Sequence, residues 1–192
     1  MSFIVETNST PRPLAPTGTQ LARLIQIVDL GTHKEESVDQ KTGAKSMKDR
    51  RKVRFVWELP NKKAIFRDGG KEEPFTLGGN YTLSLDKKAN LSAIVEGIIG
   101  RPLGDSERKA FDISKLLGEG SLLTVLPHTK RDGNLTVKIG GTSPLMDGQE
   151  VPPTSNPTVL YQVRDGRNEV FNTFPEWLQE EITSSHEFQR AA

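Results

Sequence analysis

The sequence predicts a mainly β protein built on five strands. Five segments show either the alternation of apolar and polar residues or the enrichment in Leu, Ile and Val that is typical of strands, and Gly, Pro and Asn separate them. One amphipathic stretch with helical spacing stands between the third and the fourth segment. With 192 residues, the chain has room for one domain and its appendages.

The first three strands are predicted before the helical stretch. Residues 20–30 are rich in Leu, Ile and Val, and residues 52–59 alternate apolar side chains with mostly charged ones. Because side chains alternate across a strand, we expect Phe55 and Trp57 in the core, with base stacking as the open alternative. Residues 75–85 carry the third strand.

The helical stretch and a hairpin follow. Leu and Ile recur at helical spacing in residues 87–99, and residues 105–117 predict a second, short helix. Residues 121–126 and 134–139 are the fourth and fifth strands, and the turn between them predicts a hairpin. This order of elements is that of an OB-fold, a Greek-key barrel that binds oligonucleotides on one face. A five-stranded sandwich of another topology would give the same pattern.

The chain divides into three predicted parts. Residues 1–19 are rich in Pro, Ser and Thr and form a flexible N-terminal arm. Residues 20–145 form the OB-fold-like domain. Residues 146–192 combine a proline-containing linker with an acidic amphipathic tail, in which a strand-like piece at 159–163 and a helix near 175–184 are expected.

Charge is unevenly distributed along the chain. The formal net charge is only +1, yet residues 33–71 hold twelve Lys or Arg against six Asp or Glu, and residues 147–192 hold three Arg against eight acids. A basic middle and an acidic end are typical of a protein that binds a polyanion and carries an interaction tail, although solvated loops also cluster charge. Two predicted loops, residues 31–49 and 61–74, carry much of the positive charge.

The sequence offers little for catalysis or for membrane contact. It has no cysteine, which excludes disulfides, thiolate chemistry and cysteine-based zinc sites. No P-loop, metal-ligand spacing or Ser-His-Asp arrangement stands out. No signal peptide is visible, and no apolar run approaches the roughly 20 residues of a membrane span. We expect a cytoplasmic protein without cofactor, metal or enzymatic activity, with a small nuclease as the weaker alternative.

Seven short motifs, taken in order, resemble a family of small bacteriophage proteins from replication and recombination modules, namely single-stranded DNA-binding proteins of the OB-fold type. The resemblance covers about residues 21–188 and implies an OB barrel, binding of single-stranded DNA without sequence preference, and partners among replication or recombination enzymes. It brings no catalytic residues. The motifs are VRFVWELP at 53–60, NYTLSL at 80–85, KANL at 88–91, GRPL at 100–103, FDI at 111–113 with LLG at 116–118, SPL at 143–145 and FPEWL at 174–178.

Nucleic-acid binding needs cations for phosphates and aromatic rings for bases. Aromatic residues make up only 6% of the chain, which favours an electrostatic binder. For Phe66, a role as a loop anchor on the core is the alternative to stacking. In an OB barrel the first-to-second and fourth-to-fifth loops border one groove, so their cations are expected to converge. The candidates are Lys45, Lys48, Arg50, Arg51, Lys52, Arg54, Lys62, Lys63, Phe66, Arg67, Tyr81, Lys130, Arg131 and Lys138.

The acidic tail is the second predicted interaction site. Its candidate partner contacts are Phe174, Trp177 and Leu178, and the resemblance implies that the partners are replication or recombination proteins. Two alternatives stay open: the tail packs on its own barrel, or it lies over the basic groove when DNA is absent.

Two functions from different classes follow from these observations. The first is sequence-tolerant binding of single-stranded DNA in phage replication or recombination, with binding of RNA and assembly into a homo-oligomer left open. The second is a protein-interaction or scaffold module of a phage replisome or particle, in which the basic loops meet an acidic protein.

Overall fold

The computed structural model describes residues 13–39 and 42–191, and it is mainly β, with 43% strand and 23% helix. Five antiparallel strands form a nearly closed barrel in the order β3-β2-β1-β4-β5. The fourth strand returns to pair beside the first, which is the Greek-key arrangement of the predicted OB-like barrel. The strands are β1 Gly18–Val38, β2 Lys45–Ile65, β3 Glu72–Thr82, β4 Gly120–Thr129 and β5 Leu135–Ser143.

The helical insertion lies between β3 and β4, as predicted. Its main helix is α1 (Asn90–Ile99), which begins three residues later than expected and buries Leu91, Ile94, Val95 and Ile98. The second predicted helix is split into α2 (Asp105–Ala110) and a 3₁₀ turn at Ile113–Leu116.

The barrel core contains the inward side chains of β2. Val53, Phe55, Trp57 and Leu59 are each at most 2% exposed, and burial of one such side chain contributes about 1.5–3 kcal/mol. Phe55 and Trp57 pack on each other with ring centroids 5.7 Å apart. The two aromatic residues are therefore core residues, and stacking on bases is not open to them.

A two-stranded ribbon extends from the barrel where the sequence predicts a loop. β1 and β2 each have 21 residues and stay paired as far as Val38 and Lys45. The predicted loop 31–49 is therefore wrong except for its tip. Both faces of the ribbon meet solvent, so its strands lack the apolar alternation by which strands are recognised. The second predicted loop is also shorter than expected, because β2 continues to Ile65.

The C-terminal segment packs on the outer side of β1. A short strand, β6 (Val159–Tyr161), pairs in parallel with β1 at residues 26–28. Three helices follow: α3 (Glu169–Asn172), α4 (Glu176–Thr183) and α5 (His186–Ala191). Together they form a second core, whose buried members are Val28, Leu30, Tyr161, Val163, Phe171, Phe174, Leu178 and Ile182.

Polar contacts fasten the proline-rich connection between β5 and β6 to the barrel. Glu58 is fully buried on the outer side of β2, and its carboxylate accepts hydrogen bonds from the backbone amides of Ser155 and Asn156 at 2.8 and 2.9 Å. The side-chain amide of Asn156 donates a third bond at 2.6 Å. Arg23 donates to the carbonyl oxygen of Val151 at 2.5 Å. The predicted linker is thus a strap held at several points.

Candidate nucleic-acid interface

Four of the predicted cations share one face of β2. Since the side chains of residues 53, 55 and 57 point into the core, those at even positions point outward. This outer face continues from the ribbon onto the barrel wall. We call its four cations the cationic stripe: Lys48, Arg50, Lys52 and Arg54.

A single carboxylate faces the stripe from β1. Glu35 lies opposite Lys48 in the strand register, forms an ion pair with Lys52, and lies 3.8 Å from the Nε atom of Arg50. The side chains of Lys52 and Glu35 are 22% and 34% exposed, so this pair stays within reach of solvent. A phosphate can therefore compete with the carboxylate for these cations. The ammonium group of Lys48 has no ion-pair or hydrogen-bond partner among the described residues.

A polar recess of about 430 Å³ opens beside Arg50. It lies where β3 ends and the chain turns into α1. Of its lining residues the sequence predicts only Arg50 and Tyr81 as site residues, and those that it missed include Lys88 and Asn90. The signal that points to them is the motif at 88–91, which directly follows the third strand. The recess is lined by Arg50, Asn80, Tyr81, Thr82, Ser84, Asp86, Lys88, Ala89 and Asn90.

Arg54 is the stripe's most enclosed cation. Its Nη1 atom donates a 2.7 Å hydrogen bond to Asn80, and its guanidinium lies under the ring of Trp177, 4.9 Å from the ring centroid. Burial lowers the pKa of Arg54, and the nearby carboxylate of Glu181 opposes this shift. A Cβ atom at Gly78 would come within 2.0 Å of the guanidinium, so the glycine lets the side chain lie across β3.

The two predicted stacking residues are partly enclosed. Tyr81 packs edge-on against Phe55 and Trp57, with ring centroids 5.9 and 6.5 Å apart, and burial raises its pKa to about 12. Phe66 packs edge-on against Phe75 at 5.1 Å and belongs to the edge of the barrel core. The role of loop anchor, which the sequence left open for Phe66, is the one that its packing favours.

Two predicted cations lie on the opposite ribbon face and form ion pairs there. Lys45 is 3.0 Å from Glu36. Arg51 makes two hydrogen bonds to Asp29, at 2.6 and 3.3 Å, and these raise the pKa of its guanidinium. Neither cation extends the stripe.

The remaining predicted cations lie toward the other end of the barrel. The register places the β4–β5 turn beyond the N-terminal end of β1, whereas the ribbon tip lies beyond its C-terminal end. The convergence expected for these two loops is not supported by this register and stays a prediction. This distant group consists of Lys62, Lys63 and Arg67 near the β2–β3 turn, Lys130 and Arg131 on the β4–β5 turn, and Lys138 on β5.

The three predicted tail contacts differ in exposure. Phe174 and Leu178 are 6% and 3% exposed within the second core, so in this conformation they face their own chain and not a partner. Trp177 is 49% exposed. The acidic tail helix also reaches the barrel wall, where the carboxylate of Glu181 accepts a 3.1 Å hydrogen bond from Asn80. Of the alternatives that the sequence left open for the tail, the structure shows the one in which the tail packs on its own barrel.

Metal clusters and membrane-spanning helices are absent from the described part of the chain. Residues 13–39 and 42–191 contain no group of three or more His, Cys, Asp or Glu side chains placed to hold a metal ion. Over the same residues, no helix has both the length and the apolar character needed to cross a membrane. Comparison of the sequence with models of known protein families and with curated proteins gave no match.

Proposed function

We propose that this protein binds single-stranded DNA without sequence preference and protects or organises it during phage replication or recombination in the host cytoplasm. The observation that carries the proposal is the cationic stripe, with four Lys or Arg side chains on one face of one strand. Cations that neutralise phosphates release condensed counterions, and this release supplies most of the affinity of sequence-independent binding.

The polar recess favours binding of a single strand over binding of a duplex. It adjoins Arg50, and its lining includes the polar residues Thr82, Lys88 and Asn90 together with the acidic Asp86. The edges of unpaired bases are free to hydrogen-bond with such groups, whereas in a duplex the Watson–Crick edges are occupied. The resemblance of the seven motifs to phage single-stranded DNA-binding proteins supports the same proposal.

The test is fluorescence anisotropy with labelled single- and double-stranded oligonucleotides of one sequence, titrated over a range of salt concentrations. We expect tighter binding to the single strand. Its logarithmic affinity should fall with the logarithm of salt concentration by about 0.7 per phosphate contact, or about 3 if all four stripe cations engage. Equal or tighter binding to duplex overturns the preference, and no binding at low salt favours the scaffold module.

A further inference from the structure

Trp177 is a large aromatic side chain held at the protein surface. It is 49% exposed, whereas Trp57, the only other tryptophan of the chain, is fully buried. Its helix is anchored by Leu178 and Ile182, which are 3% and 0% exposed in the second core. The ring is therefore displayed on a fixed support, which limits the entropy lost when a ligand binds.

One side of this ring is already occupied by a cation. The guanidinium carbon of Arg54 lies 4.9 Å from the ring centroid, within the range of a cation–π contact. The 2.7 Å bond to Asn80 fixes Arg54 in turn. Because the guanidinium covers one face and about half of the side chain remains exposed, the accessible ring surface lies away from Arg54.

The Trp177 ring lies at the end of the cationic stripe. Arg54 is the last cation of the stripe along β2, and Asn80, which holds it, also lines the polar recess. An aromatic surface thus stands where the stripe ends. A strand whose phosphates follow the stripe would bring a base to this ring.

We propose that Trp177 is a base-stacking residue: a base of the bound strand packs on the ring surface that Arg54 leaves open, while the cationic stripe holds the phosphates. This inference rests on the proposed function and gives Trp177 a role other than the partner contact expected from the sequence. Stacking of this kind tolerates any sequence, since every base has a π-face.

Intrinsic fluorescence provides a direct test, because the two tryptophans differ in exposure. Saturation with oligo(dT) should quench the emission of the parent protein. The Trp177→Phe variant, in which the buried Trp57 is the remaining emitter, should show little quenching. Anisotropy of the labelled strand, measured in the same titration, reports binding independently of the tryptophans. Binding without any quenching in the parent overturns the inference.

Affinity measurements separate stacking from an indirect effect on Arg54. Trp177→Ala should weaken binding of oligo(dT) about 5- to 150-fold, the loss of one stacked base, and Trp177→Phe should weaken it less. An abasic strand with the same backbone should bind both variants as it binds the parent. Equal losses on the abasic strand would mean that Trp177 only positions Arg54, which also overturns the inference.

A matched control variant and the binding of the parent protein distinguish failure of the stacking inference from failure of the proposed function. Leu135→Ala removes another exposed apolar side chain, 70% exposed at the β4–β5 turn, and should leave binding unchanged. If the parent binds no single strand, the proposed function fails together with this inference. If the parent binds and Trp177→Ala binds oligo(dT) equally well, only the stacking inference fails.

Discussion

The two faces of the β1–β2 ribbon allow a direct test of the cationic stripe. Lys48 and Arg50 lie on the outer face, and Lys34 and Lys45 lie on the opposite face. In each pair one cation has a glutamate partner, Glu35 for Arg50 and Glu36 for Lys45. The double variants Lys48→Gln/Arg50→Gln and Lys34→Gln/Lys45→Gln therefore remove the same charge from the same ribbon and differ only in the face.

The expected magnitude follows from counterion release. Each phosphate contact with a single strand contributes about 0.7 to the salt slope, so loss of two contacts should flatten the slope by about 1.4. With affinity unchanged at 1 M salt, the outer-face variant should bind about 25-fold more weakly at 0.1 M. The opposite-face variant should lose about threefold or less, because at that ionic strength charges act over about 10 Å.

Salt-titrated anisotropy with a labelled single strand measures both quantities. Urea unfolding of the two variants serves as a check, since substitutions of exposed ribbon residues should change stability by about 0.5 kcal/mol or less. Equal losses in the two variants would mean that net charge acts without regard to face. An unchanged slope in the outer-face variant would show that the stripe does not contact phosphates.

Three further predictions concern the fold that positions this interface. Glu58→Ala removes the buried charged acceptor of two backbone amides and should cost about 2–5 kcal/mol in urea unfolding, whereas Glu73→Ala, at an exposed position, should cost less than about 0.5. Gly31→Ala should destabilise more than Gly43→Ala: both glycines have positive φ, but only at Gly31 would a Cβ meet Ser185, at 2.5 Å. Burial raises the pKa of Tyr81 and of Tyr161 to about 12, so neither phenol should ionise near pH 10 in an absorbance titration, and the stability from this shift should be lost as pH rises from about 10 to 12.

The barrel could be predicted from the sequence because one face of its strands is buried. Val53, Phe55, Trp57 and Leu59 alternate with residues of which only Val56 is apolar, and that alternation identifies the core face. The ribbon could not be predicted in this way, since neither of its faces is buried. The strand pairing beyond Gly31 depends on continuation of the barrel register and not on a local apolar pattern.

The sequence also contains a signal for the second core. The first strand carries apolar residues on both faces, with Leu24 and Ile27 in the barrel and Val28 and Leu30 outside it. Apolar residues on both faces are typical of a strand covered on both sides, so they predict a further layer. A local pattern could not show which segment forms that layer, because β6 lies more than a hundred residues after the part of β1 with which it pairs.

The polar recess of the candidate site likewise could not be predicted from a local sequence pattern. Arg50 was predicted from the run of cations in which it stands. Lys88 and Asn90 belong to a different segment and join Arg50 only because β2 and β3 pair with Lys52 opposite Thr82. Strand register decides which cations of a chain lie together. A count of charges along the sequence gives no information on that register.

The second core also holds the acidic tail beside the cationic stripe. If α4 left the barrel, it would expose Phe174, Leu178 and Ile182, together with the surface of Val28 and Leu30 that they cover. At about 1.5–3 kcal/mol for each buried side chain, this exposure costs about 8–15 kcal/mol, which is comparable to the whole stability of a typical domain. Release of the tail from the barrel would therefore be costly, which favours a fixed position for it. The tail forms a wall beside the stripe, where Trp177 stands over Arg54. Under the proposed function, a bound strand would pass along this wall.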